Sequence, residues 1–247
     1  MSETEFIYGI HAVEAILNRD PSMVLEVWAD KGRQDQRLGK LIEQINQQGF
    51  AIQFLKKDKL NELVKSDRNQ GIVIRCRVAS VKNESHLPAL LDELNEPPFL
   101  LVLDGVQDPH NLGACLRTAD AVGVHAVIAP KDRAATLNAT VRKVASGAAE
   151  TVPFIAVTNL ARTLRSLQER NIWLVGAAGE TESSIYDANL KGPLAIVMGA
   201  EGKGLRRLTR EACDLLVKIP MQGSVESLNV SVATAVCLYE AVRQRAN

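Results

Sequence analysis

The feature that most constrains the fold is a regular alternation of short apolar runs with helical segments from residue 99 onward. The runs are short, apolar and contain β-branched residues, and polar segments follow them, as is typical of buried strands. The six runs are Phe99–Leu103, Val124–Ala129, Val152–Val157, Trp173–Ala177, Leu194–Met198 and Leu215–Ile219. Strands that alternate with helices predict an α/β domain with a mostly parallel sheet, covered by helices on both faces, over residues 97–247.

A second, smaller α/β module precedes this domain and is predicted to span residues 1–78. Its pattern predicts three helices and three strands in alternation. The helices are predicted at Gly9–Leu17, Leu38–Gln47 and Leu60–Val64, and the strands at Val24–Trp28, Ile52–Leu55 and Ile72–Arg77. Residues 79–96 are richer in acidic side chains and end at Pro97-Pro98, so we predict a linker there with a short helix at Pro88–Leu94.

Composition excludes several classes of protein. The apolar runs are far shorter than the roughly 20 residues that cross a bilayer, so no membrane partner is predicted. The N-terminus lacks the basic and apolar regions of a secretory signal, which predicts a cytoplasmic protein. The four cysteines are scattered, without histidines at ligand spacing, so we predict packed, reduced thiols and no metal site.

The charge balance leaves the question of a nucleic-acid partner open. The chain has 29 basic and 29 acidic residues, whereas phosphate binding normally leaves a basic excess. Local basic clusters do occur, including Lys56-Lys57 and Arg206-Arg207 with Arg210. Each cluster fits either a solvated face or a phosphate contact.

The first polar segment that could carry chemistry runs from Asp104 to Asp120, after the first strand of the predicted sheet. Asn111 is a good N-cap for the helix that follows, and Gly123 is a suitable C-terminal stop. Arg117 stands among small and apolar residues of that helix. An arginine in this position indicates either an anion-binding site or a salt bridge to an acidic side chain.

The second polar segment follows the strand at Leu194–Met198 and contains three glycines, Gly199, Gly202 and Gly204. Glycines allow a ligand to approach the backbone closely. The spacing matches neither the dinucleotide fingerprint nor a P-loop. Glu201 lies among these glycines and is interpreted either as a site residue or as a cap of a helix that starts near Leu205.

The third polar segment follows Ile219-Pro220-Met221, and Ser227 or Asn229 is expected to open a long C-terminal helix. Ligands of parallel α/β sheets bind beyond the carboxyl ends of the strands. All three polar segments begin at such ends, so we expect them to meet.

The three segments contain the motifs N-x-G-x-x-x-R, M-G-x-E-x-x-G and I-P-M-x-x-x-x-x-S-L-N-V-S-x-A in order. In these motifs the chain resembles the SpoU/TrmH family of RNA ribose 2'-O-methyltransferases. The opening Tyr8–Val13 and the small module are similar to the RNA-binding domain of the family's 23S ribosomal RNA guanosine methyltransferases. The resemblance implies S-adenosyl-L-methionine as cofactor, a trefoil knot in the C-terminal domain, and a homodimer whose active site borrows residues across the interface. It implies a guanosine in the peptidyl-transferase region of 23S ribosomal RNA as substrate, with transfer RNA as the alternative.

The same resemblance implies the site residues. The catalytic set would be Asn111, Arg117, Glu201, Ser227 and Asn229, and the cofactor would rest on Gly199, Ile219, Met221 and Leu228. The family arginine has been assigned as the base, but a guanidinium with a pKa above about 12 has no lone pair to accept a proton. We therefore expect Arg117 to grip a phosphate, and Glu201 either to accept the proton or to hold Arg117.

Helix geometry adds a condition on the first motif. Six residues separate Asn111 from Arg117, which corresponds to about 240° around a helix axis. The two side chains can share one site only if Asn111 lies at the turn before the helix.

Two other functions deserve comparison. A non-catalytic RNA-binding protein could keep this fold, but the presence of Arg117, Glu201 and Asn229 argues against it. A dinucleotide-dependent oxidoreductase would need G-x-G-x-x-G after its first strand, and that motif is missing.

Overall fold

The computed structural model describes residues 4–33, 35–77 and 81–246. Parts of the predicted segments lie outside the described residues. They include residues 1–3 and 78 of the predicted first domain and residues 79 and 80 of the predicted linker. The chain packs as two compact units. The first unit holds the described residues of 1–80 together with Arg142–Thr151, and the second holds Val81–Val141 and the described residues from Val152 onward.

The first unit is built around a four-stranded mixed sheet. Its elements in chain order are β1 (Thr4–Tyr8), α1 (Ile10–Arg19), β2 (Val24–Asp30), α2 (Gln36–Gln47), β3 (Ile52–Leu55), α3 (Lys57–Val64) and β4 (Ile72–Arg77). The strand order is β1-β4-β2-β3, with β2 and β3 parallel and the other two pairs antiparallel. All six predicted elements of this module are confirmed. The sequence pattern did not predict β1, which pairs with β4 along its whole length.

The core of the first unit explains which faces its helices bury. The apolar residues of α1 and α2 recur at helical spacing and pack against one face of the sheet. They include Val13, Ile16, Leu38, Leu41 and Ile45, all at most 3% exposed. Because these residues are buried against the sheet, the helices hold the sheet in place, and the loops at its two ends project from it.

The second unit contains a seven-stranded sheet. From residue 81 onward the elements are β5 (Lys82–Asn83), α4 (Leu87–Asp92), β6 (Phe99–Asp104), α5 (Pro109–Ala121), β7 (Ala126–Pro130), α6 (Ala139–Ala145), α7 (Ala148–Thr151), β8 (Phe154–Val157), α8 (Leu160–Gln168), β9 (Trp173–Ala177), β10 (Leu194–Gly199), α9 (Arg207–Ala212), β11 (Leu215–Val217) and α10 (Val230–Arg245). The strand order is β11-β9-β10-β6-β7-β8-β5, and every neighbouring pair is parallel. The predicted parallel sheet is thus confirmed, and so are its six strands.

Both faces of this sheet are buried, as the near-continuous apolar strands predict. In β6, Leu100 and Val102 point to one face and Leu101 and Leu103 to the other, and all four are fully buried. The implied trefoil knot stays a prediction, because strand order and pairing do not fix how the chain threads.

The packing differs from the predicted domain limits in two places. The described part of the predicted linker, 81–96, packs with the second unit, where β5 pairs with β8. The short helix predicted at Pro88–Leu94 is present as α4, with slightly different bounds. Arg142–Thr151, which falls inside the predicted second domain, packs with the first unit. Within the described residues, no helix is long and apolar enough to cross a bilayer.

Candidate active site

A cavity of about 1220 Å³ opens where β9, β10 and β11 end. Its wall is formed by residues from four segments of the second unit, which lie within 177–180, 198–204, 217–221 and 226–233. The position agrees with the expectation that ligands of parallel sheets bind beyond the carboxyl ends of the strands. The second and third polar segments of the sequence therefore meet in one place.

The glycine-rich segment forms a closed loop over the end of β10. The backbone groups of Ala200 and Gly204 bond each other twice, at 3.1 and 2.9 Å. The loop returns so closely that a Cβ on Gly199 would lie 2.2 Å from the carbonyl carbon of Gly204. Only glycine fits at position 199, and the loop places Glu201 on the cavity wall.

A buried carboxylate fastens this loop to the sheet. Asp104, at the end of β6, has a fully buried side chain, and its Oδ2 accepts a hydrogen bond from the Arg206 backbone N–H at 2.8 Å. Its Oδ1 accepts from Arg206 Nε at 2.5 Å and also pairs with Nη2. Asp104 has no role among the sequence-based predictions. A lone carboxylate at the end of an entirely apolar strand was the available signal, because a buried charge requires a partner.

Three of the five predicted catalytic residues are joined by hydrogen bonds. Asn229 Nδ2 donates to Glu201 Oε1 at 2.5 Å and to Asn111 Oδ1 at 3.0 Å. Asn229 Oδ1 accepts from the backbone N–H and the hydroxyl of Ser231, at 2.9 and 2.6 Å, which caps α10. We call Asn111, Glu201 and Asn229 the amide–carboxylate cluster.

Glu201 takes a different capping position from the one predicted. The helix near Leu205 is α9, and its N-cap is Arg206, whose side chain makes no capping hydrogen bond. Glu201 Oε1 instead lies 3.4 Å from the Val230 N–H, at the start of α10. A carboxylate there is stabilised by the partial positive charge of the helix N-terminus.

Asn111 was expected as the N-cap of α5, and this prediction was wrong. The N-cap is Asp108, whose Oδ1 accepts from the His110 N–H at 2.8 Å, and the helix begins at Pro109. Proline suits the first helical position because its fixed φ fits and its missing N–H is not needed there. Asn111 therefore lies inside the first turn, buried, with its side chain available to Asn229.

The structure does not bring Arg117 into the cluster. Arg117 is exposed, its side chain makes no hydrogen bond or ion pair with any described residue, and it is not part of the cavity wall. Since Asn111 is inside the helix, the two side chains point about 240° apart around α5. Within one chain, Arg117 and the amide–carboxylate cluster face different directions.

The remaining predicted site residues line the cavity. Ser227 is exposed on its wall, and the four predicted cofactor-binding residues share that wall. These four are Gly199, Ile219, Met221 and Leu228. Apolar contacts come from this set together with Met198 and Pro220.

One of the predicted basic clusters is neutralised in the structure. Arg206 pairs with Asp104, Arg207 with Glu211 and Arg210 with Glu180. These pairs favour a structural role for the three arginines over a contact with phosphate.

The cysteine within the first motif has the properties of a packed thiol. Cys115 is buried in α5, and its Sγ lies 3.6 Å from Thr234 Oγ1. Burial raises the pKa of the Cys115 thiol to about 11. A nucleophilic role is therefore disfavoured, because the thiolate is the reactive form. No group of three or more potential metal ligands occurs among the described residues.

Comparison with known proteins gives a consistent family. The model of the SpoU rRNA Methylase family matches residues 98–239, and that of RNA 2'-O ribose methyltransferase substrate binding matches residues 6–80. The 23S rRNA (guanosine-2'-O-)-methyltransferase RlmB of Pectobacterium atrosepticum is 62% identical over 98% of this chain and 99% of its own length.

Two solved structures extend the comparison. The SpoU methyltransferase AviRb from Streptomyces viridochromogenes, solved with the cofactor AdoMet, superposes with a TM-score of 0.80 over 98% of this chain and 91% of its own, at 23% identity. The A. aeolicus TrmH/SpoU tRNA modifying enzyme reaches a TM-score of 0.56 at 32% identity, over 66% of this chain and 84% of its own. The first family model alone covers more than half of the chain, and all three polar segments lie within the residues that it matches. The chain therefore belongs to the SpoU rRNA methylase family.

Proposed function

We propose that this protein transfers a methyl group from S-adenosyl-L-methionine to the ribose 2'-hydroxyl of a guanosine in 23S ribosomal RNA. The observation that carries the proposal is the near-complete match to a relative named for that reaction, 62% identical over 98% of this chain. The likeness to the tRNA modifying enzyme covers only 66% of this chain, which favours ribosomal RNA over transfer RNA. A ribosomal RNA substrate also fits action in the cytoplasm.

The cavity suits the proposed cofactor in size and chemistry. Its volume of about 1220 Å³ is above the roughly 300–1,000 Å³ that is usual for small-molecule sites, so it is large enough to hold the cofactor. Ile219, Pro220 and Met221 give one wall an apolar character that suits an adenine ring. Glu226 lines the same cavity and carries charge opposite to a sulfonium and an ammonium group, whereas Glu180 in the same wall is already paired with Arg210. The cofactor would supply an electrophilic methyl group whose leaving group is a neutral thioether.

The protein's part in the reaction is to position the ribose hydroxyl and to handle its proton. Asn229 and the start of α10 hold Glu201 through its Oε1. Its other carboxylate oxygen accepts no hydrogen bond from the described residues. That oxygen is available either to accept the hydroxyl proton or to hold an arginine.

We further propose that the active site is completed in a homodimer. The exposed Arg117 and the amide–carboxylate cluster point apart within one chain, so a second copy must supply the arginine. Val232 and Tyr239, seven residues apart on α10, are 49% and 55% exposed and give that helix an apolar outer face that a second copy would cover. Arg117 of the second copy would grip the phosphate beside the target ribose and stabilise charge on the hydroxyl oxygen.

The direct test is methylation of a 23S ribosomal RNA transcript with labelled S-adenosyl-L-methionine, followed by mass mapping of nuclease fragments. We expect one guanosine to gain a ribose methyl group, in the peptidyl-transferase region if the resemblance holds at that level. Ribosomal RNA from a deletion strain should lack the same methyl group. Acceptance by transfer RNA and not by 23S ribosomal RNA would contradict the proposal. Calorimetric titration with the cofactor separates an enzyme from a non-catalytic RNA-binding protein.

A further inference from the structure

One end of the sheet in the first unit gathers four chain segments. The Lys31 N–H donates to the Leu55 carbonyl at 2.9 Å, which joins the ends of the parallel strands β2 and β3. Because β4 runs antiparallel to β2, its start lies at the same end, and the Asp30 N–H donates to the Gly71 carbonyl at 2.9 Å. The end of β1 is also there, since Tyr8 pairs with Val73.

These segments carry basic side chains without acidic partners. Lys31 follows β2, Lys56 and Lys57 follow β3, and Arg68 precedes β4. All four are exposed, and none forms an ion pair with a described residue. We call this set the basic edge. Arg33, in the same region, pairs with Asp35 and is not included.

The opposite end of the same sheet differs in its charge pairing. Arg75 pairs with Glu26 at 2.9 Å, and the buried Arg142 pairs with Glu5 at 2.8 Å and with Glu150. These two arginines are neutralised by neighbours, whereas Arg77 at the same end is exposed and forms no ion pair with a described residue. At the basic edge, by contrast, all four named cations lack an ion-pair partner among the described residues, although Asp58 and Asp67 are exposed in the same segments.

The backbone under the basic edge is tightly constrained. Gly71 has a φ of +76°, and a Cβ there would lie 2.8 Å from Arg33 Cδ. Gln70 adopts a φ of +55°, and its Oε1 accepts from the Ile10 N–H at 2.9 Å. Left-handed conformations of residues other than glycine are costly and are enriched at binding sites. The edge is thus held in place before any ligand arrives.

An exposed aromatic ring lies beside these charges. Phe54 is the last but one residue of the edge strand β3, two positions before Lys56, and is 53% exposed. Unpaired RNA bases stack on aromatic side chains, while nearby lysines bind the phosphates. Charge and ring together fit single-stranded RNA better than an acidic protein surface.

We propose that the basic edge with Phe54 is the surface through which the first unit holds a single-stranded segment of the substrate RNA. The inference rests on the proposed function, because the RNA in question is the 23S ribosomal RNA that would be methylated. It adds the contact surface and the kind of RNA. The lysines and Arg68 would bind phosphates, and Phe54 would stack on one base.

The test measures how RNA affinity depends on salt in the full-length protein, with a 23S ribosomal RNA transcript as probe. The variant is Lys31→Gln/Lys56→Gln/Lys57→Gln, and the control is Arg77→Gln, an exposed arginine at the opposite end of the sheet. Each lost phosphate contact lowers the slope of log affinity against log salt by about 0.7 to 0.9. We therefore expect the slope of the triple variant to be smaller in magnitude by about 2 to 3. Its affinity for the transcript at 0.1 M salt should be roughly 100-fold weaker than that of the wild type. Arg77→Gln should leave both unchanged.

Phe54→Ala distinguishes stacking from charge. It should weaken RNA binding about fivefold or more while leaving the salt slope unchanged, since no phosphate contact is removed. Unchanged cofactor affinity and circular dichroism would show that each variant is folded. If the wild-type protein methylates the transcript and the triple variant keeps the wild-type affinity and slope, the inference about the basic edge is wrong. The proposed function is unaffected by that result. A wild type that neither binds nor methylates the transcript would instead overturn the proposed function.

Discussion

The two ends of the first motif, Asn111 and Arg117, lie on one helix and have opposite surroundings. Asn111 is buried and bonded to Asn229, which in turn holds Glu201. Arg117 is exposed and has no partner among the described residues. The comparison shows that one chain joins Asn111, Glu201 and Asn229 by hydrogen bonds but does not bring Arg117 to them. Substitutions on the two sides of α5 should therefore differ in what they damage.

The largest effect is expected from Arg117→Ala, which should lower the methylation rate by about 10³-fold. The loss removes the group that would bind the phosphate and stabilise charge on the hydroxyl oxygen. Cofactor affinity and the Tm should stay near wild type, because the Arg117 side chain is exposed and forms no hydrogen bond or ion pair with the described residues. Single-turnover methylation and calorimetry measure the two quantities. A variant that keeps more than half of the wild-type rate would remove Arg117 from the mechanism.

Mixed dimers test whether Arg117 acts across an interface. Arg117→Ala and Glu201→Ala chains, each inactive alone, should regain activity when coassembled with two different tags, because one of the two sites then has both groups. Arg117→Ala mixed with Arg117→Lys serves as a control without complementation. Absence of recovery in verified heterodimers would mean that both groups come from the same chain.

Glu201→Ala is expected to have the second largest effect, about 10²-fold or more on the methylation rate if the carboxylate takes part in proton transfer. Glu201→Gln sharpens the result, because glutamine can still accept from the Asn229 and Val230 N–H groups but is a very poor base. Rates of both variants, normalised to the folded fraction, give the comparison. Near-normal turnover of Glu201→Gln would show that the carboxylate serves only to hold the start of α10.

Much of this arrangement could be predicted from the sequence. The strands were predictable because their apolar runs are buried on both faces, and the three motifs fall where a parallel sheet places its loops. β1 was missed because five residues that include Thr4, Glu5 and Tyr8 give a weak alternation, and its pairing with β4 is a tertiary contact. No local pattern could show that Arg142–Thr151 packs with the first unit.

Within the site, the local errors have a common cause. Asn111 and Asp108 are both good caps, and the deciding factor was Pro109, which fixed the first helical position. Glu201 was expected to cap the next helix in sequence, whereas the closed glycine loop turns it toward α10. The residue types were informative, but their partners depended on long-range packing.

Asn229 offers a smaller and more selective change. Asn229→Ser keeps a good N-cap for α10 but removes the amide that joins Glu201 and Asn111, so the rate should fall about tenfold and the Tm should fall modestly, because the buried Asn111 loses its partner. Asn229→Ala also removes the cap and should cost a further ~1 kcal/mol of unfolding free energy. Thermal unfolding together with methylation rates measures both. Equal stability of the two variants would show that the cap contributes little.

The smallest effect is expected at Cys115, two residues before Arg117 but on the buried side of α5. Burial raises the pKa of its thiol to about 11, so the neutral form dominates at pH 8. Iodoacetamide should therefore label Cys115 in the native protein about 100-fold more slowly than an exposed thiol of pKa about 8.5. The Cys115 thiol ionises at a lower pH in the unfolded chain than in the folded protein. Its contribution to stability is therefore fully present below about pH 8.5 and declines as the pH rises toward 11. Cys115→Ala should methylate at close to the wild-type rate. Peptide mapping that found rapid labelling of Cys115 at pH 8, with loss of activity, would show that the buried side of α5 opens during the reaction and would erase the contrast with Arg117.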